Sequence, residues 1–112
     1  EIINRFRLRK VKLVIGGCER KDSVFNALKS VSEDIDYILI HDSNRPFITN
    51  SLIESSLKIA VTFGASVVAV PVKPSLKCIT KKGFIRYTPD RRYLWEAQTP
   101  QVFRRDLIEK AY

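Results

Sequence analysis

The stretch YILIHDSNRPFITNSLIESSLKIAVTFGASVVAVP, residues 37–71, decides the fold class. It opens on Tyr37, Ile38, Leu39 and Ile40, a continuous apolar run without alternation, as expected of a strand covered on both faces. The run stops at polar His41 and Asp42. Pro46 discourages helix just before it, and Thr49 or Asn50 supplies a cap for a helix that carries Leu52, Ile53, Leu57, Ala60 and Phe63 to Gly64 as terminator. Residues 65–70, ASVVAV, form another buried strand. Strand, helix and strand at this spacing are the unit from which right-handed crossovers and a parallel sheet are built.

Upstream, residues 11–15 form a short β-branched run closed by Gly16 and Gly17, which reads as a strand entering a tight turn. Asp22 or Ser23 then caps a helix over residues 23–32, with Val24, Ala27, Leu28 and Val31 on one apolar stripe. The fold class is therefore α/β, with a mostly parallel sheet. Downstream, residues 76–80 and 84–87 alternate around Lys81-Lys82-Gly83, the signature of a β-hairpin projecting from the sheet. Leu94-Trp95 and Val102-Phe103 flank a polar QTPQ, and residues 106–112 begin a helix.

Composition places the 112 residues in one ordinary globular domain, with 45% apolar and 29% charged residues. A chain this short buries one modest core, and a partner subunit or further segments would help to stabilise it. There is no apolar run of membrane-spanning length, and the first ten residues lack the apolar centre of an export signal, so the cytoplasm is expected. Cys18 and Cys78 form no CxxC pair and have no Cys/His cluster around His41, the sole histidine, so both read as free thiols. The net charge of +8 favours anionic partners: phosphorylated small molecules, nucleic acid or acidic membrane. The basic residues are scattered along the chain, as on a solvated surface.

In a parallel sheet the ligand crevice lies beyond the carboxyl ends of the strands. GGCERKDS, HDSNRP and VKPSLK follow the expected strands, and between them they hold glycine, carboxylate, hydroxyl and cation, the groups that grip a phosphate, metal and sugar. Asp42 stands at the mouth of an apolar strand, where a carboxylate is costly unless paired, capping or holding a cation. It reads either as a Mg²⁺ ligand or as a turn-forming Asp bonded to the backbone near Asn44. His41, without a second imidazole or thiolate, reads as a hydrogen-bonded structural histidine. Arg45 either clamps a phosphate or pairs with Asp42. Neither GxGxxG nor GxxxxGK[ST] occurs, so no complete phosphate cradle is visible.

Read in order, GGCERKDSV (16–24), HDSNRPF (41–47), GASVVAVPVKPSLK (64–77) and TPDRRYLWEAQTPQVF (88–103) resemble the 2-C-methyl-D-erythritol 4-phosphate cytidylyltransferases, from about residue 11 to residue 112. The sequence departs from the family pattern at Ser43 and Asn44, where two alanines are usual, and at Pro74 and Ser75, where Asp-Thr is usual.

The resemblance implies a Rossmann-like sheet of nucleotidyltransferase type, with residues 1–112 as part of that domain. It implies CTP as co-substrate, Mg²⁺, and attack of the polyol phosphate on the α-phosphorus of CTP with release of pyrophosphate. Gly17, Cys18, Ser23 and Asp42 would contact the nucleotide, with Cys18 where an acidic residue is frequent. Asp42 would also touch the metal and the substrate. Arg45, Ser75, Arg91 and Thr99 would face the polyol phosphate, Arg91 orienting the attacking group as the catalytic residue of this segment. Residues 71–93 would form an arm exchanged within a homodimer, so that Arg91 serves the partner's site. A bacterial cytoplasm or a plastid-type organelle would house the protein, with no nucleic acid or membrane partner.

The family's glycine-rich loop with its catalytic Arg and Lys has no counterpart in these residues, so the chain alone is expected to be inactive. The ribitol-5-phosphate cytidylyltransferases share HD-x-x-RP and QTPQ, but LWEAQTP and Lys77 fit the isoprenoid branch better. The alternatives from other classes are a basic nucleic-acid-binding module, with salt-sensitive affinity, and a non-catalytic dimerisation piece.

Overall fold

The structure, a computed structural model, describes residues 10–112. Helix α1 spans Arg20–Leu28, strand β1 Tyr37–Ile40, helix α2 Asn50–Phe63 and strand β2 Ala65–Pro71. Short strands β3 (Cys78–Ile79) and β4 (Ile85–Tyr87) follow, then a single 3₁₀ turn at Arg91–Tyr93, strand β5 (Trp95–Arg104) and helix α3 (Arg105–Ala111).

The deciding stretch forms the elements its pattern dictates, although its strands, read as covered on both faces, leave Leu39, Val67 and Val70 exposed in this chain. Thr49 is the N-cap of α2, its hydroxyl accepting from the backbone N–H of Leu52, and Gly64 closes the helix in the left-handed region at φ 88°. A Cβ at Gly64 would also stand 2.7 Å from Leu107 Cδ1 of α3. Gly64→Ala therefore combines a left-handed Ala with a clash, and it is expected to destabilise the chain by about 1–2 kcal/mol, read as a fall in the denaturant midpoint.

Helix α1 starts earlier than residue 23 and ends before residue 32. Its capping box joins Glu19 to Asp22, rather than using Asp22 or Ser23 as the cap. It stops at Leu28 because both the backbone N–H and the hydroxyl of Ser30 turn back onto the carbonyl of Ala27.

The sheet corrects two expectations. Its order is β1-β5-β2, and both ladders are antiparallel. Strands β1 and β2 do run the same way, joined by the crossover helix α2, but β5 lies between them, so no parallel ladder forms among the described residues. Residues 11–15, expected as a strand, pair with no strand among the described residues and leave Leu13 and Ile15 exposed. Their apolar character suits a strand, but no backbone partner stands beside them among the described residues, and a strand is defined by its ladder.

Strand β5 went unread in the sequence because its middle is polar and contains a proline, which has no N–H to donate. The ladder absorbs this with a bulge. Val67 pairs with Gln101 and Ala69 with Ala97, so Gln98, Thr99 and Pro100 together face Val68. The Thr99–Pro100 bond is cis. On the other edge Ile40 pairs with Gln101, which brings Asp42, just past the end of β1, alongside Thr99.

Ala60 of α2, Val102 of β5, Ile108 of α3 and Leu28 of α1 form the buried apolar core, with Thr99 and Pro100 buried beside them. The core is thin. The chain exposes 9700 Å², whereas a compact monomer of its 12.9 kDa exposes roughly 6300 Å². On the β3–β4 hairpin Ile79, Phe84 and Ile85 are exposed. The hairpin turns at Gly83, φ 84°, as Lys81-Lys82-Gly83 suggested. Trp95 is likewise exposed in this chain and takes no part in its core.

Candidate active site

The loop before α1 is built around one glycine. The backbone N–H of Gly17 donates to Ser23 Oγ at 3.0 Å, and a Cβ on Gly17 would fall 2.2 Å from Asp22 Cβ, so no other residue fits so close to the helix. Ser23 Oγ in turn donates to the carbonyl of Glu19 at 3.3 Å. Ser23, expected at the nucleotide, thus also fixes the loop that carries Gly17 and exposed Cys18.

Arg20, the first residue of α1, reaches across to the end of β1. Its Nε and Nη2 donate to Asp42 Oδ1 at 3.2 and 2.9 Å. Arg45 Nε stands 3.6 Å from the other oxygen, Oδ2. The backbone N–H of Asp42 donates to Thr99 Oγ1 at 3.2 Å, leaving that hydroxyl's own hydrogen to donate elsewhere. The arginines hold the Asp42 carboxyl below its usual 3.8, with the Arg20 hydrogen bonds the largest cause and burial opposing them. The bond to the backbone near Asn44, one of the readings of Asp42, is not made; the carboxylate is ion-paired.

Because the folded-state value is lowered, the pair's stabilisation is present above the unfolded value and fades as pH falls below 3.8. A carbon-detected titration of the Asp42 carboxyl is expected to give a midpoint below 3.8, moving upward with added salt. A midpoint that stays at the unperturbed value would show that the ion pair does not hold in solution.

His41 Nε2 lies 2.8 Å from the carbonyl of Arg45, and the N–H of Arg45 returns to the carbonyl of Asp42 at 3.1 Å. The turn after β1 is therefore pinned from both sides, and His41 is the structural histidine expected. Its Nδ1 is buried without a partner among the described residues.

Hollows flank this cluster. A groove of about 450 Å³ lies between α1 and β1, with an apolar floor including Ala27, Ile38 and Ile40 and a polar rim of Arg20, Ser23 and Asp42. A second, of about 300 Å³, is lined by Arg45, Asn44, Phe47, Leu52 and Thr99. His41 borders both. The first has the volume and lining of a small-molecule pocket.

The structure brings Gly17, Ser23, Asp42, Arg45 and Thr99 to one rim of the sheet, with Arg20 as the link. It does not bring Ser75 and Arg91 there within one chain. Ser75 is exposed in the segment between β2 and β3, and Arg91 Nη1 donates to the carbonyl of Lys73 at 2.8 Å, at the base of the arm. Arg91 and Arg92 look equivalent in sequence but differ in their commitments. Arg92 is locked on Asp90 through Nε and Nη2, whereas Arg91 spends one donor on a carbonyl. Arg20 was missed as a site residue; its clue was its place in GGCERKDS, the loop following an expected strand.

The description that matches residues 1–112 is that of the 2-C-methyl-D-erythritol 4-phosphate cytidylyltransferases. The chain belongs to that family. Relatives of that name include those of Alkaliphilus metalliredigens, 45% identical over 100% of this chain and 47% of its own length, and Clostridioides difficile, 44% identical over 99% and 46%. Among solved structures, the Anaerococcus prevotii 4-diphosphocytidyl-2C-methyl-D-erythritol synthase superposes with a TM-score of 0.83 at 28% identity, covering 97% of this chain and 48% of that one. The Francisella tularensis cytidylyltransferase gives 0.80 at 30% identity over 93% and 49%. The α/β nucleotidyltransferase fold expected from the sequence is thereby established. The chain spans about half the length of the relatives it matches.

Proposed function

We propose that this chain is the segment of a cytidylyltransferase that binds the cytidine nucleotide on one side of Asp42 and 2-C-methyl-D-erythritol 4-phosphate on the other. The observation that carries this reading is the Asp42 cluster with a hollow on each side: Ser23 and Arg20 towards one, Arg45 and Thr99 towards the other. In the reaction a phosphate oxygen of the polyol phosphate attacks the α-phosphorus of CTP. The bond to the β-phosphate breaks, and pyrophosphate leaves with the electron pair.

Asp42 is the protein's ligand for Mg²⁺. Among the described residues no group of three or more His, Cys, Asp or Glu gathers to cage a metal. Mg²⁺ is usually held by one or two carboxylates together with substrate phosphates and water, so a single Asp fits this role once an arginine releases an oxygen. Bound there, the metal supplies charge neutralisation to the phosphates. Arg45 binds the polyol phosphate, and the Thr99 hydroxyl holds the Asp42 backbone while its hydrogen reaches substrate. Arg91, carried on an arm exchanged within a homodimer, orients the attacking phosphate of the partner's site. The basic surface attracts these anionic ligands. No described helix is long and apolar enough to cross a membrane, and we place the protein in the cytoplasm.

The test is a chimaera in which residues 1–112 replace the matching segment of the Clostridioides difficile enzyme. It is expected to release pyrophosphate from CTP with methylerythritol phosphate and not with ribitol 5-phosphate. The 112-residue chain alone is expected to release none, because it has no glycine-rich cradle with its cations. A folded chimaera without turnover, or one that prefers ribitol 5-phosphate, would sink the assignment.

A further inference from the structure

Arg20 lines the nucleotide-side groove but is given no chemical role above, and it makes the closest contact to the cluster's carboxylate. It spends Nε and Nη2 on the single oxygen Oδ1, at 3.2 and 2.9 Å, while Arg45 Nε faces Oδ2 at 3.6 Å. Both oxygens thus face guanidinium, and a cation approaching Asp42 competes with positive charge on either side. The two arginines meet the carboxylate differently. Arg20 makes both hydrogen bonds to it from a side chain that is 56% exposed, whereas Arg45 stands at 3.6 Å, its side chain 41% exposed and its backbone pinned by His41 and Asp42. The turn beneath it is closed by Glu19, Asp22 and Ser23, so the guanidinium can swing without opening the helix. The groove it borders is the one assigned to the nucleotide.

We propose that Arg20 is a positioning residue that exchanges partners. It holds the Asp42 carboxylate at the rim until a divalent cation takes that carboxylate, and then it turns its freed donors to the nucleotide's phosphates. A planar fork of N–H donors suits both partners, which a lysine's point charge does not. The proposal rests on the nucleotide reading above and adds a residue and an order of events to it.

The experiment uses the Clostridioides difficile chimaera described above, in which residues 1–112 sit within a whole enzyme, with circular dichroism to confirm that each variant folds. Mn²⁺ alone is titrated while its paramagnetic broadening is followed at the Asp42 carboxyl carbon; Mg²⁺ with CTP is then titrated while backbone amide shifts are followed. Arg20→Gln is expected to tighten Mn²⁺ about threefold, the factor set by losing one exposed ion pair as competitor, and to weaken Mg²⁺-CTP by roughly the same factor or more. Arg20→Lys should leave Mn²⁺ nearer the parent value and restore only part of the CTP affinity. These opposite shifts are the mark of exchange, because a merely structural arginine would weaken both ligands together. Equal Mn²⁺ broadening in parent and Arg20→Gln, or no broadening in either, overturns the proposal. A chain that responds to Mn²⁺ as described but shows no shifts with CTP refutes the nucleotide reading, and with it the second half of the exchange, while leaving the first half standing.

Discussion

In the Clostridioides difficile chimaera, Asp42→Asn is expected to lower kcat/KM by about 10²- to 10³-fold with little change in thermal stability. The asparagine keeps the shape of the side chain and the backbone N–H that Thr99 Oγ1 accepts at 3.2 Å, so the approach of β1 to the β5 bulge should survive. What it removes is the one negative charge between the arginines. In the proposed mechanism that charge attracts the divalent cation and offsets Arg20 and Arg45, which would otherwise repel it. Single preorganised electrostatic contacts to a reacting centre contribute rate factors of this size, and phosphoryl-type transfers depend on such contacts more than on covalent steps by the protein. The loss should be partly recovered by raising Mg²⁺ if the defect is in holding the metal. Steady-state pyrophosphate release at several Mg²⁺ concentrations measures it. A variant within a few-fold of the parent would show that Asp42 is only a structural ion-pair partner.

The sequence revealed the fold unevenly, and the pattern has a physical basis. Residues 37–71 were legible almost to the residue, because a continuous apolar strand, a Thr cap, an amphipathic helix and a terminating glycine all specify the same local structure. Strand β5 was not, because its place between β1 and β2 is a tertiary fact. Its polar centre is tolerated by the bulge, and the site needs the residues of that bulge: Thr99 reaches Asp42 only because three residues of β5 stand against one of β2. Residues 11–15 were read as a strand from hydrophobicity alone, and hydrophobicity does not supply a ladder partner. The same asymmetry runs through the site. Asp42 and Arg45 could be nominated by residue type at a strand end, and Thr99 by family resemblance alone. Arg20, one of twenty basic residues, had only its place in GGCERKDS to mark it, and its guanidinium on Oδ1 is what sets it apart. Likewise Arg91 and Arg92 separate only once Asp90 is found gripping the second.

The position of Arg91 leads to the other large effect. It is tied to Lys73 at the base of the arm and makes no hydrogen bond to the Asp42 cluster among the described residues. If it acts on the partner's substrate, chimaeras carrying Asp42→Asn or Arg91→Ala should each lose about 10² or more in turnover, since each removes a charged contact that positions or stabilises the reacting phosphates. Mixed in equal amounts and allowed to exchange subunits, they should regain activity. Random pairing makes half the dimers mixed, and in a mixed dimer one site joins an intact Asp42 to an intact Arg91 while the other has neither, so recovery approaches about a quarter of the parent activity. An Arg91 that serves its own subunit gives the opposite result, because every site in every dimer then lacks one of the two groups and mixing restores nothing. A mixture that stays as inactive as its components, with subunit exchange verified by mass, would place Arg91 outside the partner's site. The exposed Ile79, Phe84 and Ile85 of the arm would then need another explanation than burial against a second copy.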